Sequence, residues 1–538
     1  VLYAAAAKGY YFGATHIHDP FQPQSQIPAL YSWLQFAPLS KLGQIISLPP
    51  TLIPLLWRAL GGALLGPSLY ILFRIILAPS VAGYLWPLWC TMFCITDIGF
   101  IKGRLLVDNL IALHAIKAAR FVQPYPDHVA TYRVVSPLLN LPFLLGLAAV
   151  IACGRLPKFQ YVLFAGLLLG ASINLYFFNW TAAVLAILLL ITLHIRSREI
   201  VAALAVILLV AGIVGSPQIL YNLHEFSNAS LNPILQRVCR GYHLAEGDPE
   251  RTIYIKDFWA LAKIAVGFIA VFLMRRTELT FIWLLCVSAF ILENSGIITG
   301  LEFENFHWKY VVSPFGEIIV LSVLAIIIYR HLKLGNKLIY SGLWSIPIFL
   351  LITSAAYKYR EALYLPENKT VAQLAHDIAP LNSTLESRQN CIIAGPKLAV
   401  AIAILSSPCG QLYHMWTPTI EIIPDREVNE RNALNAWLEG QTEDQYAREA
   451  PEQIALCDTH NSDWQPAHVA AERLSIFAGL SDPSVAGLLL RKYHPNYLLL
   501  SSGSTMPTRG GKWSAISRSN DWVLYRLDEL PDLTAEVL

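Results

Sequence analysis

Four short stretches of this 538-residue chain gather side chains suited to proton transfer and charge stabilisation. The first, GATHIHDPFQPQSQ, sets His16, His18 and Asp19 close together. In the second, TDIGFIKGR, Asp97 is followed by Lys102 and Arg104. The third, TGLEFENFHWKY, holds Glu302, Glu304, His307, Trp308 and Lys309, so that carboxylate, imidazole, indole and ammonium fall within one short turn. The fourth is the aromatic run YFFNWT, residues 176–181. A placed carboxylate serves as a general base toward a hydroxyl, and cations stabilise charge developing on a leaving group. Plainer readings stand beside these. A lone carboxylate such as Asp97 at the end of a span is often only interfacial, and Trp and Tyr at boundaries form aromatic belts in most membrane proteins. A divalent metal at His16, His18 and Asp19 is the alternative for the first stretch. HxHD lacks further ligands at a recognised spacing, so no cofactor is expected there.

The elements that must position these residues are membrane helices. The chain is 55% hydrophobic and 14% charged, with a mean hydropathy of +0.48, whereas soluble domains carry about 25% charged residues. Its apolar residues come in runs of roughly 16 to 22, the length needed to cross about 30 Å of hydrocarbon. Ten spans are predicted, near 51–77, 81–98, 137–153, 159–178, 180–195, 200–216, 258–274, 279–297, 313–329 and 338–356. No internal repeat is evident, and the net charge of +2 gives no reason to expect a nucleic-acid partner.

Arg155 and Lys158, Arg196 and Arg198, Arg275 and Arg276, and Arg330, Lys333 and Lys337 all fall in short connections on one side of the predicted bundle. Basic residues in short loops mark the cytoplasmic face. The long segments then lie on the other side: residues 1–50 as a first extracytoplasmic loop with interfacial helices, the 99–136, 218–257 and 298–312 connections, and the region from 358 to 538. An N-terminal segment already outside implies one further span before Val1, eleven in full. QIPALYSWLQFAPLSKLGQII reads as a helix lying in the interface, and residues 102–122 carry apolar residues at helical spacing.

The transmembrane bundle with its loops occupies 51–357, and the character changes beyond it. ENKTVAQLAHDIAPLNSTLES reads as an amphipathic helix with Thr370 as N-cap, and KLAVAIAILSS and ERLSIFAGL read as helices. NCIIAG and NYLLLSS have the form of buried strands, and DWVLYRL that of an edge or antiparallel strand. Strands alternating with helices indicate one α/β domain over 358–538. It shows no phosphate-binding glycine loop, and an accessory or recognition role fits it. Of the eight cysteines, Cys90, Cys94, Cys153 and Cys286 fall in apolar runs as small buried hydrophobes. Cys391, Cys409 and Cys457 lie in the polar region, where a disulfide is compatible but its pairing open.

External acids, nearby cations and lipid-facing helices suit glycosyl transfer from a lipid-phosphate sugar. A loop carboxylate would deprotonate the acceptor hydroxyl, while Lys102, Arg104, Arg133, His307 and Lys309 supply donors for the departing phosphate. In architecture the chain resembles the GT-C superfamily of polyprenyl-phosphate-sugar-dependent glycosyltransferases, here of an uncharacterised bacterial type. The resemblance rests on Asp19 in the first external loop, interfacial helices after it, Asp97 with KGR in the second loop, a multi-span bundle and a C-terminal external α/β domain. SGIITGLEFENFHWKY resembles a motif of bacterial membrane proteins of this type. The resemblance implies an inverting transferase of the bacterial inner membrane with Asp19 as the base, Asp97 as a second catalytic acid, and His18, Lys102, Arg104, Arg133, Glu304, His307, Trp308 and Lys309 around the substrate. It departs from the family in lacking paired acids in the first loop, where His18 precedes Asp19. Membrane lipid, a polyprenyl-phosphate sugar and a glycan, lipid or protein acceptor would be the partners. Two other readings stay open. One is an inactive relative serving as a subunit beside a membrane-protein partner in an envelope complex. The other is a lipid or glycolipid transporter, against which the ionisable residues are expected to cluster at span ends.

Overall fold

The computed structural model describes residues 2–13, 21, 34–81, 83–95, 140–156, 158–226, 242–243, 258–299, 301–302, 305–331, 341–349, 351–352, 366–386, 388, 391–414, 417, 423–449, 466–504, 511–519 and 521–530. Helix α1, Leu2–Tyr11, and helix α2, Ala37–Ile45, precede the bundle. The bundle helices are α3 (Ile53–Leu77), α4 (Leu85–Ile95), α5 (Leu141–Ala152), α6 (Phe159–Ile173), α7 (Phe177–Leu193) and α8 (Arg198–Phe226), then α9 (Phe258–Phe268), α10 (Thr280–Glu293) and α11 (Lys309–His331). Residues 341–349 are also helical.

Each of the ten stretches predicted to span therefore contains helix. By length and apolarity, four helices among the described residues can cross a bilayer: Pro50–Leu77, Arg198–Tyr221, Thr277–Thr299 and Val311–His331. Leu85–Ile95 and Leu141–Ala152 are shorter. At 1.5 Å per residue such helices rise about 17 Å, well under the hydrocarbon thickness. The membrane assignment rests on the four longer ones.

Close backbone approach holds the bundle together. A Cβ placed on Gly166 would lie 2.6 Å from Val210 Cβ, and one on Gly170 would lie 2.5 Å from Val214 Cβ. Gly215 on α8 meets Ile173 of α6 in the same way. Lipid tails are as apolar as leucine, so helices in a bilayer associate through such small-residue packing rather than through a hydrophobic force. The GLLLG spacing of Gly166 and Gly170 on α6 is the sequence signal for it.

The C-terminal region is an α/β domain. Its strands are β3 (Ile392–Ala394), β4 (Gly410–Gln411), β5 (Tyr497–Ser501), β6 (Lys512–Arg518) and β7 (Trp522–Glu529), following the short pair β1 (Tyr242–His243) and β2 (Leu301–Glu302). The sheet order is β4-β3-β5-β7-β6; β3 is parallel to β4 and β5, and β7 is antiparallel to β5 and β6. One face carries Ile393, Tyr497 and Leu499 under α12 (Pro366–Glu386) and α13 (Lys397–Ala403). The other carries Ala394, Leu498 and Leu500 under α14 (Asp425–Leu438), α15 (Glu443–Glu449), α16 (Pro466–Gly479) and α17 (Pro483–Tyr493). Alternate side chains of β5 thus enter two cores, which is why YLLLS is apolar without interruption. One expectation changes. Helix α12 starts at Pro366, so Thr370 lies within it rather than capping it. DWVLYRL forms β7, antiparallel to both of its neighbours, with β6 outside it.

Helix α1 joins the two halves. The alanine run 4–7 favours helix and keeps its flanks narrow. Ala6, Ala7 and Tyr10 pack with Phe36 and Ile53 at one end of the bundle, while Ala5 and Phe21 belong to a core of the sheet domain. Lys8 is fully buried and its ammonium donates to the Cys409 carbonyl at 2.6 Å. Beside it, Cys391 and Cys409 form a disulfide joining the entries of β3 and β4. Phe21 accepts the Gln411 amide at 2.9 Å through its carbonyl and stacks its ring on the His414 imidazole at 3.7 Å. Burial, aided by the nearby Lys397 ammonium, pushes the His414 pKa down to about 3.

Two stability measurements follow from this joint. Removing the disulfide, which spans a sequence separation of 18, as the Cys391→Ala, Cys409→Ala pair should lower unfolding free energy by ~3 kcal/mol in denaturant titration. His414 stays neutral in the fold down to about pH 3, whereas the unfolded imidazole protonates near 6.5. Stability should therefore be lost as pH falls through this window, by up to ~1.4 kcal/mol per pH unit from this group. A His414→Gln variant should show a shallower acid limb, and an unchanged slope would contradict the buried neutral state.

Candidate functional site

Two of the four stretches singled out in the sequence meet in space. Tyr176 is extended and immediately precedes α7, and a 3-10 turn, Asn305–Trp308, leads into α11. The Tyr176 hydroxyl and His307 Nδ1 are 2.6 Å apart. With the phenol as donor, Nδ1 is the acceptor of this pair, and the contact ties the imidazole ring to the start of α7. Trp308 Nε1 donates to Thr181 Oγ1 at 3.2 Å, and the Thr181 hydroxyl donates back to the Phe177 carbonyl at 3.0 Å. The Phe178 ring lies 4.7 Å from His307 and 5.0 Å from Trp308, edge-on to the latter. Trp308 is buried, whereas His307 is half-exposed. The result is an indole anchored in the bundle with an imidazole at its rim.

Around this corner, Tyr176 also packs against the α1 cluster of Ala6, Ala7 and Tyr10. Strands β1 and β2 pair antiparallel, with Tyr242 opposite Glu302 and His243 opposite Leu301. Two loops distant in sequence thereby converge near the start of α11. Asn179, in the first turn of α7, is buried with no hydrogen-bond partner for Oδ1 among the described residues. Aromatic faces and a partly buried imidazole are groups that can grip a hydroxylated ring.

Of the residues expected at the site, the structure brings His307 and Trp308 together with Tyr176, Phe177 and Phe178. The backbone of Lys309 begins α11. His16, His18, Asp19, Asp97, Lys102, Arg104, Arg133 and Glu304 lie outside the described residues, as does the HxHD alternative for a metal. Cys457 is outside them too.

A second polar feature was missed. Lys263 on α9 and Glu317 on α11 form an ion pair at 3.8 Å within the bundle, and the ammonium also donates to the Ser313 carbonyl at 3.3 Å. A Cβ on Gly316 would lie 2.5 Å from Lys263 Cδ, so this glycine makes room for the lysine stem. Lys263 and Glu317 both sit near the first ends of the predicted 258–274 and 313–329 spans. The signal was present, because Lys263 is the sole charge of FWALAKIAVGF. Averaging hydropathy over a whole span hid it. A charge buried in an apolar bundle is expensive unless paired, and such residues tend to be functional.

No protein-family model matches this chain, and no curated protein matches it. The site's chemistry is therefore argued from its residues.

Breaking the Lys263–Glu317 pair from one side leaves a buried charge exposed to a low dielectric. Glu317→Gln should destabilise the protein by ~3 kcal/mol or more, measured by denaturant unfolding in detergent. Pairing it with Lys263→Met should recover most of that loss.

Proposed function

We propose that this chain is an integral-membrane glycosyltransferase of the GT-C kind, moving a sugar from a polyprenyl-phosphate donor to an extracytoplasmic acceptor with inversion. The observation that carries the reading is the meeting of segments 176–181 and 305–309 in one aromatic, imidazole-bearing corner at the bundle end that α1 covers. The Cys391–Cys409 disulfide favours an oxidising compartment for the sheet domain. The basic short connections then face the cytoplasm, consistent with an inner-membrane protein whose C-terminal domain is outside.

In this reading Asp19 takes the proton of the acceptor hydroxyl as its oxygen bonds to the anomeric carbon. The bond from that carbon to the lipid phosphate breaks, and its electron pair leaves on the phosphate. Asp97 is the second acid near the reaction. Lys102, Arg104, Arg133 and Lys309 offset the phosphate charge, and the His307 imidazole, oriented by Tyr176, hydrogen-bonds sugar or phosphate. His18, Glu304 and Trp308 complete the substrate contacts. Purified protein given a polyprenyl-phosphate sugar and an acceptor should show transfer, and Asp19→Asn should lower turnover by ~10²-fold or more with an unchanged melting temperature. Tyr176→Phe should lower it by roughly ten-fold, the scale of one lost hydrogen bond. Absence of transfer from any such donor would sink the proposal.

One observation favours a second reading, a lipid or glycolipid transporter: the buried Lys263–Glu317 pair. In that case Glu317→Gln would abolish lipid movement in reconstituted vesicles while Asp19→Asn would not. The transferase reading expects the reverse dependence.

A further inference from the structure

The sheet domain buries more charge than its fold requires. Helix α14 is polar in sequence, DREVNERNALNAWL, yet Asn429, Glu430, Arg431, Asn432 and Asn435 are all buried. Most of these groups have partners. Asn435 spans both sides of Gly395, accepting its N–H at 3.0 Å and donating to its carbonyl at 3.1 Å just beyond β3. Glu430 accepts from Lys492 and Tyr493 at 2.6 Å each, and from Arg426 at 3.0 Å. Arg431 donates to Glu427 at 2.6 Å.

Arg473 on α16 is the exception. It is 1% exposed. Its Nε donates to the Asn429 side-chain oxygen at 2.6 Å, and the Asn429 amide in turn donates to Glu472 at 2.6 Å. Its Nη1 has no hydrogen-bond partner, and it makes no ion pair among the described residues. A guanidinium stays charged at any accessible pH, so it cannot escape the cost of burial by losing a proton. Nearby stands the Tyr446 hydroxyl, buried and also without a partner among the described residues. Its ring stacks on Phe477 at 4.4 Å. Burial raises the Tyr446 pKa, with Arg473 opposing and Tyr413 adding to the rise, so the three groups share one environment and the phenol remains a donor. Tyr413 follows β4 by two residues, and Tyr446 belongs to the same buried core as Ala394 at the end of β3 and Leu412 just after β4. In open α/β sheets, ligands bind outside the carboxyl ends of the parallel strands.

We infer that the C-terminal domain holds a buried oxyanion site, in which Arg473 and Tyr446 receive the carboxylate of a small organic acid or acidic sugar. One guanidinium matches the single charge and planar oxygen pair of a carboxylate, with the phenol donating to one oxygen. The inference is independent of the transferase reading, because it concerns the other half of the molecule.

The test uses the purified full-length chain. Melting temperature is followed against sodium glucuronate and sodium acetate, with sodium chloride and inorganic phosphate as separate arms at equal ionic strength. Either carboxylate should raise it saturably, beyond the effect of chloride. Arg473→Met should abolish that rise, read against the variant's own ligand-free melting temperature because the change also leaves the Asn429 side-chain oxygen without its donor. Should that variant fail to fold, Tyr446→Phe, which removes only the hydroxyl, should weaken binding by on the order of ten-fold. A rise no larger than with chloride, a preference for phosphate, or a carboxylate response retained in both variants would overturn the assignment.

Discussion

The cost of taking a cation out of water governs this molecule more than any single packing contact. An ammonium or guanidinium moved into a low-dielectric interior loses several kcal/mol of hydration unless other groups replace the water. Lys8 meets a backbone carbonyl at the head of β4. Lys263 meets a carboxylate and a carbonyl between two bundle helices. Arg431 meets the carboxylate of Glu427, one turn away on the same helix. The first two pairings each fix two elements in one geometry, since slipping either would strand a charge. Among the described residues Arg473 has only an amide oxygen, and in the proposed oxyanion site the same constraint turns a stabilising device into a place for an incoming anion.

Within the bundle, shape does what hydrophobicity cannot. Gly166, Gly170 and Gly215 let α6 and α8 approach until valine and isoleucine side chains touch backbone. That fixes where α6 ends, and with it the extended Tyr176 that opens α7. The Tyr176 hydroxyl in turn sets the ring of His307. Trp308, locked by Thr181, prevents that turn from swinging away. The geometry of the aromatic corner is therefore inherited from glycine contacts at its own end of α6 and α8, together with a buried indole.

Much of this was legible from residue patterns. Long apolar runs located the helices, because backbone groups in lipid leave few alternatives to helix. Uninterrupted apolar stretches such as NYLLLSS marked strands buried on both faces. At the corner, the types of residue in YFFNWT and ENFHWKY were informative separately, but nothing local in either segment says that Tyr176 and His307 touch. Such contacts depend on helix order around the bundle, which periodicity does not encode. Helix α1 was read as part of an external loop because ten residues with a lysine and a glycine carry no spanning signal. Helix α14 escaped notice for the opposite reason. Its residues look solvated, and only tertiary packing reveals that they are not.

The position of α1 explains why the two halves of the protein act as one body. Its four alanines present almost no side chain, so the bundle end and the sheet domain approach it from both flanks. Separating them would expose Tyr10 and Phe36 on one side and Ala5 and Phe21 on the other. It would also draw Lys8 away from Cys409 beside a disulfide that keeps its acceptor in place. A rehydrated ammonium would regain its water, but the apolar surfaces and the Cys409 carbonyl would lose their partners together. Docking is thus cooperative: apolar burial supplies the attraction, while the single buried charge admits only one register of α1 against the sheet. That register is what carries Tyr10 to the cluster where Tyr176 packs.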